Sequence, residues 1–323
     1  MKKKWAFTAA AGVLGGLFLA GVLEVGSSTG WFGLEELASP GVPSWEHSYE
    51  TTWDPSQDGV EGLSIRWAVG PVSVMPGEGP LITVTEYASR PLEEGERLAL
   101  SSSGGVLEVG WNGSLLPLGA LQDLEKRVEV KVPPELLSQL EELSCWNISG
   151  EVSVSGAFAQ ELSLGSLAGD LFLTGVSGEK AAVSTVSGDI QWSQGQAREL
   201  SVKSTSGAVQ VVGMNAQECR LKTVTGPLAY QGAGSKFFGE SVTGSLRAQL
   251  TACPTEGELG SVQGDIFLTL PENNGFQARH SSVSGHFTSD FSGSGQGGGF
   301  LYKGGGPLLS FTTTSGDVRI ARG

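Results

Sequence analysis

Nine glycines, Gly150, Gly169, Gly188, Gly207, Gly226, Gly244, Gly264, Gly285 and Gly316, each sit in the same short pattern of alternating apolar residues, a Ser/Thr-rich step, the glycine, and more alternating apolar residues. Their spacings are 19, 19, 19, 19, 18, 20, 21 and 31 residues. A period near 20 residues marks a solenoid, in which one repeat is one coil and buries its apolar face only against the coils beside it.

Aligned on the glycines, the sequence becomes a set of columns. Two positions after the glycine stand Val152, Leu171, Ile190, Val209, Leu228, Leu246, Ile266, Phe287 and Val318. Four positions after it the column is again mainly apolar, with Trp192 and Tyr230 in it and Ser289 as the polar exception. Residues two apart share one strand face. Upstream, the minus-seven column (Leu143, Leu162, Ala181, Leu200, Cys219, Phe237) and the minus-five column (Cys145, Leu164, Val183, Val202, Leu221) predict a second inward-facing strand. Minus three is small and polar throughout, from Asn147 and Ser166 to Thr313, which predicts a hydrogen-bonded ladder between coils. Minus two returns to apolar, as in Ile148, Leu167 and Val186, so the pattern predicts a change of phase and a bend just before the glycine, whose dihedrals glycine tolerates.

A lone coil of this kind is unstable. Each side chain it buries contributes about 1.5 to 3 kcal/mol, but ordering each residue of its backbone costs about 1 to 2 kcal/mol. Only stacking shares the apolar columns between neighbours. The expected fold class is therefore all-β: a β-solenoid of about nine coils of 19–21 residues with an irregular β cap, preceded by one N-terminal transmembrane helix or signal peptide.

Composition agrees and narrows the function. With 49 glycines and 17% charged residues, the chain reads as all-β with many tight turns. A net charge of -14 and a pI near 4.7 argue against a nucleic-acid partner, which calls for a basic stripe to neutralise phosphate. Acidity of this kind serves solubility outside a cell.

Lys2, Lys3 and Lys4 precede a charge-free run of 19 residues, Trp5 to Leu23, about the length that crosses a hydrocarbon core. Positive charge before the run predicts a single-pass protein at the cell membrane, with everything after Leu23 outside the cytoplasm. Met1 to Lys4 would be too short for a cytoplasmic output domain, which disfavours a stand-alone receptor. A cleaved signal peptide is the alternative, with Val25-Gly26-Ser27 as a passable site and a secreted product. The expected organisation is thus 1–23 membrane anchor or signal segment, 24–59 linker carrying Trp31, Trp45 and Trp53, and 60–135 β capping region with Gly70 as a divergent first motif. Residues 136–323 form the solenoid repeats, with a flexible Gly-rich insertion, 292–307, between the last two coils.

Candidate chemistry is sparse. His280 and His286 flank Gly285, with Asp290 beyond, but His280 falls in an inward column and His286 at plus one, so no converging metal site is expected. The plus-one aspartates Asp170, Asp189, Asp265 and Asp317 are interrupted by Ala208, Pro227, Ser245 and His286, which fits turn chemistry better than a calcium ladder. Cys145 and Cys219 sit in apolar columns and Cys253 lies between motifs, so buried free thiols are expected rather than a disulfide framework. Gly293-Ser294-Gly295-Gln296-Gly297-Gly298 fits a dinucleotide fingerprint in letters only, since no helix pattern follows it. The outward minus-four column stacks Lys203 on Lys222 without the acidic cluster that a polysaccharide-cleaving solenoid would need. The nine glycines therefore stand as repeat-defining structural residues; no catalytic, cofactor or metal residue is expected, and no cofactor.

Val183-Ser184-Thr185-Val186-Ser187-Gly188-Asp189-Ile190, Leu270-Pro271-Glu272-Asn273-Asn274-Gly275-Phe276, Ser282-Val283-Ser284-Gly285 and the terminal Thr314-Ser315-Gly316-Asp317-Val318-Arg319-Ile320 resemble the bacterial putative-adhesin family of β-strand repeats, a domain of unknown function. The resemblance covers roughly residues 62 to 323, including the approach Val128-Glu129-Val130-Lys131-Val132-Pro133. It implies the repeat fold and assigns no residue to binding. Two functions follow as expectations. One is a non-enzymatic cell-surface interaction module that contacts a cell-wall polymer or an envelope protein. The other, implied by relatives that accompany envelope-stress genes, is an outward-facing accessory of a membrane regulatory system.

Overall fold

Residues nineteen apart lie side by side on parallel strands, so the sequence period becomes the step of one coil. Leu162 pairs with Leu143 on one side and Ala181 on the other, and Leu171 pairs with Val152 and Ile190. The structure is a computed structural model, and it describes residues 45, 47–111, 124–296 and 298–323. The apolar run Trp5–Leu23 and most of the expected linker lie outside the described residues. Among the described residues no helix is long and apolar enough to cross a membrane.

Each coil has a long strand before its glycine, such as Phe158–Ala168, and a short one after it, such as Leu171–Thr174. In the middle coils the short strand runs on into the long strand of the next coil, giving Ile190–Ser206, Val209–Thr225 and Leu228–Thr243. The minus-seven, minus-five, plus-two and plus-four columns are buried as expected outside the Gly285 coil, where His280, Phe287 and Ser289 are half-buried; Leu162, Leu164, Ile190 and Trp192 are all in the core. Size is balanced between columns. Trp192 at plus four fills space that Gly195 leaves open, and its indole Nε1 donates to the Val176 carbonyl at 3.2 Å.

The expected change of phase before the glycine does not occur. Minus three stays inward: Asn147, Ser166, Thr185, Ser204, Thr223, Ser241, Ser261 and Thr313 are all buried. Their side chains serve glycine carbonyls rather than one another along most of the stack. Thr185 Oγ1 donates to the Gly169 carbonyl at 3.2 Å, and Asn147 Nδ2 donates to Gly70 at 3.0 Å and Gly150 at 3.1 Å. Minus two is consequently outward, and its aliphatic side chains face solvent.

Close approach, more than a bend, makes the glycines necessary. A β-carbon on Gly207 would lie 2.0 Å from the Gly188 carbonyl oxygen, and one on Gly188 would lie 2.3 Å from that of Gly169. The same clash recurs from Gly150 to Gly316, so each corner rests on the carbonyl of the coil before it. A second corner, six positions after the glycine, is carried by Gly156, Gly175, Gln194 and Gly213 with φ between 58° and 69°. This left-handed column went unread in the sequence because Gln194 interrupts it.

The two ends depart from simple stacking. Gly62–Val69 and Val72–Pro76 pair with Leu140–Ser149 and Val152–Ser155, so the Gly70 motif is a full rung. Beyond it the sheet turns antiparallel: Lys126–Val132 pairs with Ile82–Ala88, which pairs with His47–Trp53 at the edge. That last strand falls within the span expected to be linker. It is held by backbone pairing over seven residues and by Trp53 against the core, with no apolar alternation to announce it. Under this cap the Lys126 ammonium is buried against Glu86, 2.5 Å from Oε1, and also reaches the Glu96 carbonyl.

At the other end the coil order is exchanged. Glu256–Gln263 pairs with Leu308–Ser315, and only then does Phe276–Ser282 follow. The Gly316 coil is therefore inserted between those of Gly264 and Gly285. The Gly-rich segment expected to be a flexible insertion forms strands Gly293–Gln296 and Gly299–Tyr302, the second antiparallel to Phe276–Ser282. Phe276, Phe291, Phe300 and Tyr302 pack together beneath it, which is what anchors so glycine-rich a segment.

Candidate functional site

Parallel stacking turns every outward position into a straight row of like side chains, and the long-strand face carries four such rows, at minus eight, minus six, minus four and minus two. The minus-two row is apolar and open. Ile148, Leu167, Val186, Val224, Val242 and Val262 are each 38–47% exposed, and Val283 is 83% exposed. Thr205 and Thr314 complete the row. Such an exposed row, aliphatic at all but these two positions, is costly to leave in water and is a mark of an interaction surface.

Across the minus-four row from it, the minus-six column is small, with Ser144, Ser163, Ala182 and Ser201 in neighbouring coils. Longer side chains flank it. Glu161, Lys180, Glu199 and Glu218 stand at minus eight, and with Arg220 they bound a groove of about 330 Å3. Arg220 is fixed by an ion pair to Glu218 at 2.7 Å and lies 4.2 Å from the centre of the Phe238 ring. At minus four, Trp146 is about half exposed and leans over Gly165, where a β-carbon would lie 2.1 Å from its ring.

The remaining candidates separate. Lys203 does stack on Lys222 at minus four, and Lys222 is paired with Glu240 at 2.6 Å. The plus-one aspartates hold the stack rather than their own turns: Asp170 and Asp189 each accept, at 2.7 Å, the backbone N–H of the plus-one residue in the next coil. After Ala208, which has no acceptor to offer, the next plus-one residue is Pro227, which has no N–H to satisfy. Cys145 and Cys219 are free and buried, and burial pushes the Cys145 thiol up to about 12. Cys253 is free and partly buried.

His280 and His286 do not converge. His280 lies beside Phe287 with its Nε2 buried and without a partner, whereas His286 faces Asp317 at 3.4 Å. Among the described residues no three His, Cys, Asp or Glu side chains are placed to hold a metal. The Gly293–Gln296 strand of the fingerprint-like segment turns back into another strand, with no helix to receive a pyrophosphate.

The stacked-coil architecture accords with one family: Toastrack DUF4097 matches residues 111–321. The chain belongs to the Toastrack family. No curated protein matches it. Among solved structures, it is similar to a putative adhesin from Bacteroides fragilis, at 13% identity over 86% of this chain and 97% of that one, with a TM-score of 0.32. It is also similar to a putative cell adhesion protein from Clostridium sporogenes, at 12% identity, 86% and 99% coverage and a TM-score of 0.24. A putative adhesin from Parabacteroides merdae follows at 10% identity, 86% and 95% coverage and a TM-score of 0.25.

Sequence reasoning found the minus-two residues but assigned them to a bend. Continuing the period of two from minus seven and minus five puts minus three inside and minus two outside, while the polarity of the two columns argues the opposite.

Proposed function

We propose that the chain is a non-enzymatic interaction module, held outside the cytoplasm by its N-terminal apolar segment, that engages a cell-envelope partner through the outer face of its long strands. The exposed aliphatic row from Ile148 to Val283 carries this reading. The described residues bring together no nucleophile with a base and no acidic pair beside the stacked lysines, and the buried thiols are held protonated. A rigid, repetitive surface suits contact with an extended or repetitive partner.

The test is retention of the full-length protein on isolated cell wall and, in parallel, on membrane extract. Changing Val186, Val224 and Val242 together to Lys should abolish retention while leaving the thermal melt near that of the parent. Unchanged retention would rule out this face. Recovery of one membrane protein, rather than wall polymer, would identify an envelope-protein partner.

A further inference from the structure

We propose that the groove floored by Ser144, Ser163, Ala182 and Ser201 binds a linear neutral polysaccharide, with the Trp146 ring as a stacking platform. The inference rests on reading this face as the interaction surface, and it adds the ligand class.

The first argument is shape. The minus-six position is small from Ser64 of the Gly70 coil through Ser201, then becomes Arg220 and Phe238. At a strand spacing of about 4.8 Å the floor runs for about 20 Å along the solenoid. It is bounded at one end by Glu108, which follows Ser64 in register and is ion-paired to Arg66 at 3.1 Å, and at the other by the Arg220 guanidinium resting on Phe238. A channel crossing successive coils fits a linear chain better than a compact molecule.

The second argument is the chemistry of the walls. Glu161, Lys180, Glu199 and Glu218 line the groove on one side, and the minus-four row of Trp146, Gly165, Ser184 and Lys203 runs along the other side of the floor. Both signs of charge are present, so a polyanion gains no net attraction, and a chain of net charge -14 repels it at long range. A polyol uses such walls well, because each hydroxyl both donates to carboxylate or serine oxygen and accepts from lysine.

The third argument excludes a peptide strand. Ser163 pairs with Ser144 on one side and Ala182 on the other, so the floor lies within the sheet and has no free edge for strand addition. Recognition falls to side chains. A pyranose ring has hydroxyls around its rim and C–H bonds across its faces, which matches polar walls beside one open aromatic ring. The ring is kept in place by Gly165, since any side chain there would occupy its position.

The test is calorimetric titration of the full-length protein, in a detergent without sugar headgroups, with cellohexaose and separately with polygalacturonate. Saturable binding of cellohexaose is expected, weakened about tenfold by Trp146→Ala and largely kept by Trp146→Phe. Ser163→Arg, which fills the floor, and Gly165→Val, which displaces the ring, should also weaken it. Gln210→Ala, on the outer face of a short strand, should leave it unchanged. Absence of saturable binding, equal affinity in Trp146→Ala, or preference for polygalacturonate would each overturn the proposal. If cellohexaose fails while envelope retention still depends on the aliphatic row, the ligand class is wrong and the surface reading stands. If both fail, neither stands.

Discussion

Seven consecutive coils, from Gly150 to Gly264, stack in chain order, whereas the last two exchange places. The difference lies in their columns. The Gly316 coil supplies Leu309, Phe311, Val318 and Ile320, all buried, together with Asp317, whose own N–H is taken by Asp265. It can therefore be covered on both sides. The Gly285 coil has His280 where its neighbours have Phe311 and Leu259, and Ser289 where they have Ile320 and Leu268. A coil with these gaps is suited to the end of the array, where the aromatic hairpin closes over it. Irregular terminal repeats are how solenoids end. Here position in the stack follows the fit of the columns rather than order along the chain.

The sharpest way to break this comparison is to place the same charge in both regions. Ile190→Asp, in the plus-two column of a middle coil, buries an unpaired carboxylate between Leu171 and Val209 and should cost about 4 kcal/mol or more. Ser289→Asp, in the end coil, should shift the melt by less than a quarter as much. Equal thermal shifts for the two would show that the end coil is as integral as the middle.

The N-terminal cap offers a second contrast, because its stability rests partly on the buried pair of Lys126 and Glu86 rather than on apolar rows. Glu86→Gln leaves the ammonium in place without its counter-charge and should cost about 3 kcal/mol in chemical denaturation. Burial already holds the Lys126 pKa below 10.5, with the Glu86 hydrogen bond opposing. A folded pKa below the unfolded value means that stability rises as pH increases toward 10.5, so the Glu86→Gln deficit should shrink on raising pH. A pH-independent deficit would assign the loss to packing instead.

Within the middle coils the glycines can be set against one another. Gly207→Ala puts a β-carbon 2.0 Å from the Gly188 carbonyl at a φ of 145° and should cost about 2 kcal/mol. Gly260→Ala meets nothing nearer than 3.9 Å and should be neutral within about 0.5 kcal/mol by denaturant melt. Similar costs at both positions would make glycine content, not corner contact, the determinant.

Most of the fold was legible because a solenoid writes each contact many times: the glycine period gave the coil, and the plus-two column gave the core. What was not legible depended on choices between coils of the same period. A one-residue period cannot say whether minus two or minus three faces inward when serine and threonine line one and valine the other; hydrogen bonds to the glycine carbonyls decide it. The exchange of the last two coils was equally hidden, since both motifs fit the pattern. The site was legible only in part. Trp146 stood in the minus-four column, but its position over Gly165 and the small residues beside it acquire meaning only when coils are placed side by side.

The smallest expected effect belongs to the histidine that marks the end coil. His280 Nε2 is buried without a partner beside Phe287, and burial lowers its pKa from the ordinary 6.5, with the Asp317 carboxylate opposing. Because the folded pKa lies below the unfolded one, the unfolded chain takes the proton first. The contribution is complete above 6.5 and declines as pH falls below it. Loss should be local, since His280 contacts the hairpin and not the middle coils. Amide exchange in 276–302 should accelerate at pH 5.5 relative to 7.5, after correction for intrinsic rates, while 190–225 should not respond. His280→Phe, which repeats the residue at Phe311, should abolish the difference. If His280→Phe keeps the same pH dependence, the titrating group lies elsewhere.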